Sequence, residues 1–201
     1  MDATATPDNH DVRESLLAIG QQTMAAKGFS AVGLKEILAS AGVPKGSFYH
    51  YFASKDAYGE ALLEKYFTDY LAEMDATLHQ PGLTMAQRLM HYWQAWQDNQ
   101  SVSDCQGKCL AVKLGAEVAD LSESMRLTMQ RGTTGIVDRL ALAIKAGAAE
   151  GSLSIEGQHR DVAQSLYQLW LGASVLVKVT RTTAPFDSAM NTTRQILHIA
   201  P

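Results

Sequence analysis

Apolar residues recur at spacings of three and four along almost the whole chain. Period-two alternation never runs for more than a few residues, so the sequence predicts helices throughout. The first is expected over about Asp11 to Lys27, where Val12, Leu16, Leu17, Gly20 and Met24 make one stripe. Asp11 and Glu14 suit the positive end of its dipole. Gly28 follows as the residue that ends it, and Phe29 as an anchor for a small N-terminal core. Two short helices follow, about Leu34 to Ser40 and Lys45 to Tyr51. Ala41-Gly42-Val43 makes the turn between them, and Pro44 takes the first helical position, where it needs no N–H partner. A long fourth helix starts at a Ser54 cap, with Asp56 in its first turn. Along it Tyr58, Leu62, Tyr66 and Tyr70 repeat every four residues, until Pro81-Gly82. Five more helices are expected at about Thr84 to Asn99, Lys108 to Ala119, Ser122 to Gly147, Gln158 to Arg181 and Pro185 to Ile199.

With 46% hydrophobic and 19% charged residues, 201 residues are enough for a substantial core and too apolar for disorder. No run approaches 18 consecutive apolar residues, and the first residues lack the pattern of a secretory signal. A cytoplasmic location is expected, with Cys105 and Cys109 reduced at rest. The net charge of −4 argues against nucleic acid only when taken as a single number. Between Lys27 and Lys55 four lysines (27, 35, 45 and 55) face one glutamate, Glu36, a net +3 on an acidic body.

That basic segment holds the string Gly42-Val43-Pro44-Lys45-Gly46-Ser47-Phe48-Tyr49-His50-Tyr51-Phe52, then Ser54-Lys55. Phe48 and Phe52, four apart, are expected to pack inward. Lys45, Ser47, Tyr49 and His50 offer donors on the other face, and Gly46 lets the backbone approach a partner closely. With Gly28-Phe29 and Leu34-Lys35-Glu36-Ile37-Leu38 upstream, residues 11 to 67 resemble the DNA-recognition region of the TetR family of repressors. The resemblance implies an all-α fold of about nine helices. Residues 1–53 would be a three-helix helix-turn-helix head, and residues 54–201 a body for ligand sensing and dimerisation. It implies a homodimer through the last two helices on a near-palindromic double-stranded DNA operator. Lys45, Gly46 and Ser47 would face base edges, Tyr49, His50 and Lys55 would contact phosphate, and Lys35 is a further DNA-binding candidate. Ala163, Leu166, Trp170, Ala173 and Val177 line one face of the eighth helix, with small residues Gly172 and Ser174 beside them. That face suits either dimer contact, as the resemblance implies, or the chain's own core.

Cys109 lies at or near the start of the sixth helix, after Gly107 and Lys108 and ahead of Lys113. Positive potential there favours the thiolate, the form that reacts with electrophiles and oxidants. Lys178, between Val177 and Val179, is in phase with apolar positions and is a supporting candidate. Residues 107–122, together with Leu169-Trp170-Leu171-Gly172-Ala173, Lys178 and Arg181, resemble the NemR-like subgroup of the family, which senses electrophiles and oxidants. The resemblance implies that Cys109 is the sensing thiol and that a reactive electrophile or oxidant is the inducer. Ala119 stands where a further cysteine is expected, which leaves a single-thiol switch. The residues alone keep other readings open. Cys109 suits an inert apolar helix start, and Cys105 and Cys109 suit a disulfide across the loop at Gly107. Trp93, Trp96 and Trp170 suit a cavity for a non-covalent hydrophobic inducer. No metal or cofactor is expected, since C-x₃-C is half a zinc site and His79, His91, His159 and His198 are not paired with it. No histidine is tied to Cys109 and no phosphate-binding glycine loop is present, so an enzyme is not expected.

Overall fold

The computed structural model describes residues 9–105 and 109–199, with side chains from Asp11 to Gln100 and from Cys109 to Ile199. Among the described residues the chain forms nine helices and no strands. They are α1 (Asn9–Lys27), α2 (Leu34–Ala41), α3 (Lys45–Tyr51), α4 (Lys55–Leu78), α5 (Met85–Cys105), α6 (Leu110–Leu121), α7 (Glu123–Glu150), α8 (His159–Thr180) and α9 (Ala184–Ile196). The periodicity therefore placed every element within a few residues. The widest discrepancy is α5, expected to end near Asn99, which continues to Cys105 because nothing in Asn99-Gln100-Ser101 stops a helix. Pro44 sits one position earlier than expected, as the extended residue before α3. Ser54 caps α4 as read, its hydroxyl accepting the Ala57 N–H at 3.0 Å.

α1, α2 and α3 pack around Phe48 and Phe52, both buried. α4 joins them to the rest. Its Tyr58 ring lies 5.3 Å from Phe48 and 4.9 Å from Phe52, and its hydroxyl donates to the Leu16 carbonyl at 2.6 Å. Burial holds the Tyr58 phenol far above the usual range, so that proton stays in place. Behind α4, α7 is the central helix of the body. Gly132 lets it approach closely: a β-carbon there would sit 2.1 Å from the Phe67 ring.

α5, α8 and α9 meet in an aromatic stack. Trp93 and Trp170 lie face to face at 4.8 Å, with Phe186 5.7 Å beyond. Two of the indoles are paired across helices, whereas Trp93 Nε1 and the Tyr167 hydroxyl find no partner among the described residues. Trp96 Nε1 donates to Ser174 Oγ and Trp170 Nε1 to Thr193 Oγ1, each at 2.9 Å. Ala163, Leu166, Trp170, Ala173 and Val177 are all buried within the chain. That α8 face belongs to the chain's own core, which corrects the expectation of dimer contact there. The surplus apolar surface of α8 is the adjacent stripe of Val175, Leu176 and Val179, which are 48%, 53% and 73% exposed, with Gly172 in phase. Among the described residues no helix is long and apolar enough to cross a membrane.

Candidate functional site

The outer face of the head is built by α2 and α3. Because Phe48 turns inward, Lys45, Gly46, Tyr49 and His50 are left outside, with Ser47 half-buried at the edge. The Lys45 ammonium sits 5.9 Å from the centre of the Tyr49 ring, and the His50 ring packs edge-on against Tyr51 at 5.1 Å. Nothing lies within 4 Å of where a Gly46 β-carbon would be, so the backbone is bare at that point. Lys35 is exposed on α2. Lys55 differs from the expectation of a phosphate contact. Its ammonium donates to the Phe29 carbonyl at 2.8 Å and lies 4.5 Å from the centre of the Phe29 ring. That carbonyl, just past the end of α1, otherwise accepts only a long turn bond from the Val32 N–H at 3.4 Å, and Lys55 is its shorter partner.

Cys109 is the residue immediately before α6, half-buried and, among the described residues, not in a disulfide. The Tyr66 hydroxyl on α4 donates to its sulfur at 3.6 Å. Burial first, and then the potential of Cys109, push the Tyr66 phenol well above its ordinary range, so Tyr66 is a permanent donor. The sulfur borders a cavity of about 190 Å³ among α1, α4 and α5. Its walls include Tyr66, Tyr70, Tyr92, Trp96 and Gln100, and the hydroxyls of Tyr70 and Tyr92 are hydrogen-bonded at 2.8 Å. Of the three indoles expected to line a cavity, Trp96 does so, whereas Trp93 and Trp170 are held in the core stack. Lys113 and Lys178 are half-buried on α6 and α8. Lys108 and the Cys105 side chain lie outside the described residues, and with them the Cys105–Cys109 pairing. Among the described residues no three His, Cys, Asp or Glu side chains gather as a metal site would require.

One residue that sequence reasoning missed connects these two regions. Glu117, two turns into α6, accepts the N–H of Phe29 at 3.0 Å and that of Ser30 at 2.7 Å. Both amides belong to the loop that links α1 and α2. Burial raises the Glu117 carboxyl, but Ser30, Phe29 and the charge of Lys55 more than offset this and hold it below its ordinary value. Gly28 makes room: its φ is +94°, and a β-carbon there would lie 3.0 Å from the carboxylate. No local pattern signals this contact, because its partners are backbone amides 87 and 88 residues away.

Comparison with known proteins gives a consistent result. Residues 16–62 match the model for "Bacterial regulatory proteins, tetR family", and residues 86–193 match "Tetracyclin repressor-like, C-terminal domain". The chain is 39% identical over 188 residues to the HTH-type transcriptional repressor NemR of Escherichia coli K12, covering 94% of each. It is 31% identical over 176 residues to the HTH-type transcriptional repressor DhaR of Mycobacterium sp. strain GP1, covering 88% of this chain and 87% of that one. The crystal structure of reduced E. coli NemR superposes with a TM-score of 0.90 at 40% identity, covering 94% of this chain and 97% of that one.

Proposed function

The chain belongs to the TetR family of bacterial regulatory proteins and is a transcriptional repressor, and from this we propose that a reactive electrophile or oxidant releases it from DNA by modifying Cys109. Regulators of this family bind DNA operators and act as dimers. In this reading residues 1–53 bind DNA, and Lys35, Lys45, Gly46, Ser47, Tyr49 and His50 form the contact surface. Lys55 is an internal strut rather than a phosphate contact. Residues 54–201 sense the inducer and dimerise through α8 and α9, with Val175, Leu176 and Val179 as the apolar stripe that a second copy covers.

The observation that carries the thiol reading is the position of Cys109. It is half-buried at the start of α6, beside a cavity, with a hydroxyl donated to its sulfur, and the same helix grips the head loop through Glu117. Addition to N-ethylmaleimide forms one sulfur–carbon bond across the activated double bond, and the neighbouring carbon takes the proton. The adduct ring cannot share the sulfur's position with the Tyr66 contact, so the start of α6 moves and the strain reaches Glu117. Lys178 supports the thiol as a cation on α8.

The test uses duplex DNA selected from random sequence by the purified protein. Binding is measured by fluorescence anisotropy before and after N-ethylmaleimide or hypochlorite. Wild type is expected to release the DNA and Cys109→Ser to retain it. If Cys109→Ser releases DNA as readily as wild type, the thiol reading fails.

A further inference from the structure

The Tyr66 hydroxyl has two partners, and together they fix its direction. The backbone N–H of Leu110, the first residue of α6, faces its oxygen and favours negative charge there, while its own proton goes to Cys109 Sγ at 3.6 Å. An N–H at a helix start has no acceptor inside the helix, so it is available to polarise the hydroxyl. A hydroxyl that accepts one hydrogen bond donates a stronger one. The Cys109 side chain makes no capping bond of its own to α6, so its sulfur meets the positive end of that helix through Tyr66. The ring that carries the hydroxyl is buried, 5.1 Å from Phe67 and 5.9 Å from Tyr70. A donor aimed at sulfur favours thiolate over thiol, because a hydrogen bond to a charged acceptor is roughly twice as strong as one to a neutral acceptor. The thiolate is the nucleophile.

We infer that the Tyr66 hydroxyl sets the reactivity of Cys109 by holding its sulfur as the thiolate; what this means for sensing rests on the thiol reading above. The bond acts twice, with opposite signs. It raises the ionised fraction of the thiol by about tenfold while the thiol is mostly protonated. It also draws electron density from the sulfur, which lowers the reactivity of each thiolate by about threefold at a Brønsted slope of about 0.4–0.5. Ionisation therefore wins near neutral pH, and once the thiol is fully ionised only the loss remains. Among the described residues the phenols of Tyr66, Tyr70, Tyr92 and Tyr167 all feel the charge of Cys109. Burial pushes all four above the ordinary phenol value, so they keep their protons while the sulfur titrates. The charged groups on the neighbouring helices are Glu73 at the exposed rim of the cavity on α4 and the half-buried Lys113 of α6 and Lys178 of α8.

The test follows alkylation by iodoacetamide in the full-length protein, with Cys105 replaced by serine so that Cys109 is the single thiol. The sulfur forms one bond to the methylene carbon and iodide leaves. Protein mass gives the rate with no DNA present, so failure here leaves the DNA-release experiment standing, and failure there leaves this rate profile standing. Tyr66→Phe is expected to react about threefold more slowly than its parent at about pH 7, and about two- to threefold faster at about pH 10.5. A change of packing or access would move both rates the same way, so the crossing of the two profiles is the mark of the hydrogen bond. The second variant carries 3-fluorotyrosine at position 66, which keeps the ring and strengthens the donor. It is expected to react faster than the parent at about pH 7, and it decides alone should Tyr66→Phe fail to fold. The inference is overturned if Tyr66→Phe keeps one ratio to its parent at both pH values, or if 3-fluorotyrosine leaves the neutral rate unchanged or lowers it.

Discussion

Replacing Glu117 by glutamine tests whether α6 holds the head. The substitution keeps side-chain length, removes the charge, and turns an NH₂ group toward one of the two loop amides that the carboxylate now accepts. A hydrogen bond to a charged group contributes about 1.5–3 kcal/mol net, and an exposed one less. Glu117 is half-buried, so the pair is taken at the low end, about 2–3 kcal/mol together. At about 2–4 °C per kcal/mol for a chain of this length, E117Q is expected to melt roughly 4–12 °C below wild type. The loss should depend on pH. The carboxyl is held below its ordinary 4.5 in the folded chain. A depressed value gives a stabilisation that is complete above the unfolded pKa and lost as pH falls through the folded one. The gap in melting temperature between wild type and E117Q should therefore be full at neutral pH, narrow as pH falls below the ordinary carboxyl value, and close once pH has fallen through the depressed folded value.

The functional assay compares the DNA affinity of the N-ethylmaleimide-treated and untreated proteins. Their ratio is a coupling constant between thiol and head, for which about 1–3 kcal/mol is typical. If Glu117 carries that coupling, E117Q brings the ratio close to one from about 5- to 150-fold, whatever its unmodified affinity. A variant that melts like wild type at neutral pH and keeps the wild-type ratio would refute the reasoning.

Two further outcomes follow from the packing. Leu176→Glu places a charge in the exposed α8 stripe, and it is expected to turn a dimer into a monomer by sedimentation without lowering the helix content. Gly132→Ala pushes a β-carbon against Phe67 of α4, and by the usual cost of overpacking, about 1–3 kcal/mol, it should melt several degrees lower. Part of that loss should return in the double variant with Phe67→Leu.

The helices were legible because each buries one stripe, and a stripe is a property of neighbours in sequence. The head was more legible still, since Phe48 and Phe52 fix which way α3 faces and so which of Lys45, Gly46, Tyr49 and His50 lie outside. What the sequence left undetermined was decided by partners far along the chain. The apolar face of α8 was real, but nothing local could tell that α7 and α9, with the tryptophans of α5, would cover it and leave Val175, Leu176 and Val179 exposed instead. Lys55 read as a surface cation because its partner is a carbonyl 26 residues upstream. Trp93 and Trp170 read as cavity walls because the stack that absorbs them spans three helices. In each case residue type gave the kind of contact, and topology chose the partner.

Two of those distant contacts act on one loop. Lys55, at the start of α4, holds the Phe29 carbonyl, and Glu117 of α6 holds the Phe29 and Ser30 amides. The same two helices meet again where Tyr66 of α4 donates to Cys109 at the start of α6. Eleven residues of α4 separate its two contacts, about 16 Å of helix axis, and eight residues separate those of α6, about 12 Å. The two helices thus form a closed frame, with the thiol at one corner and the head loop at the other. A helix of two or three turns transmits a tilt rather than absorbing it, because bending it breaks its own hydrogen bonds. Under the proposed function, an adduct that separates Tyr66 from Cys109 changes the angle between α4 and α6. The Phe29–Ser30 loop then cannot satisfy both Lys55 and Glu117. One grip must yield, and the head turns with whichever helix keeps its hold.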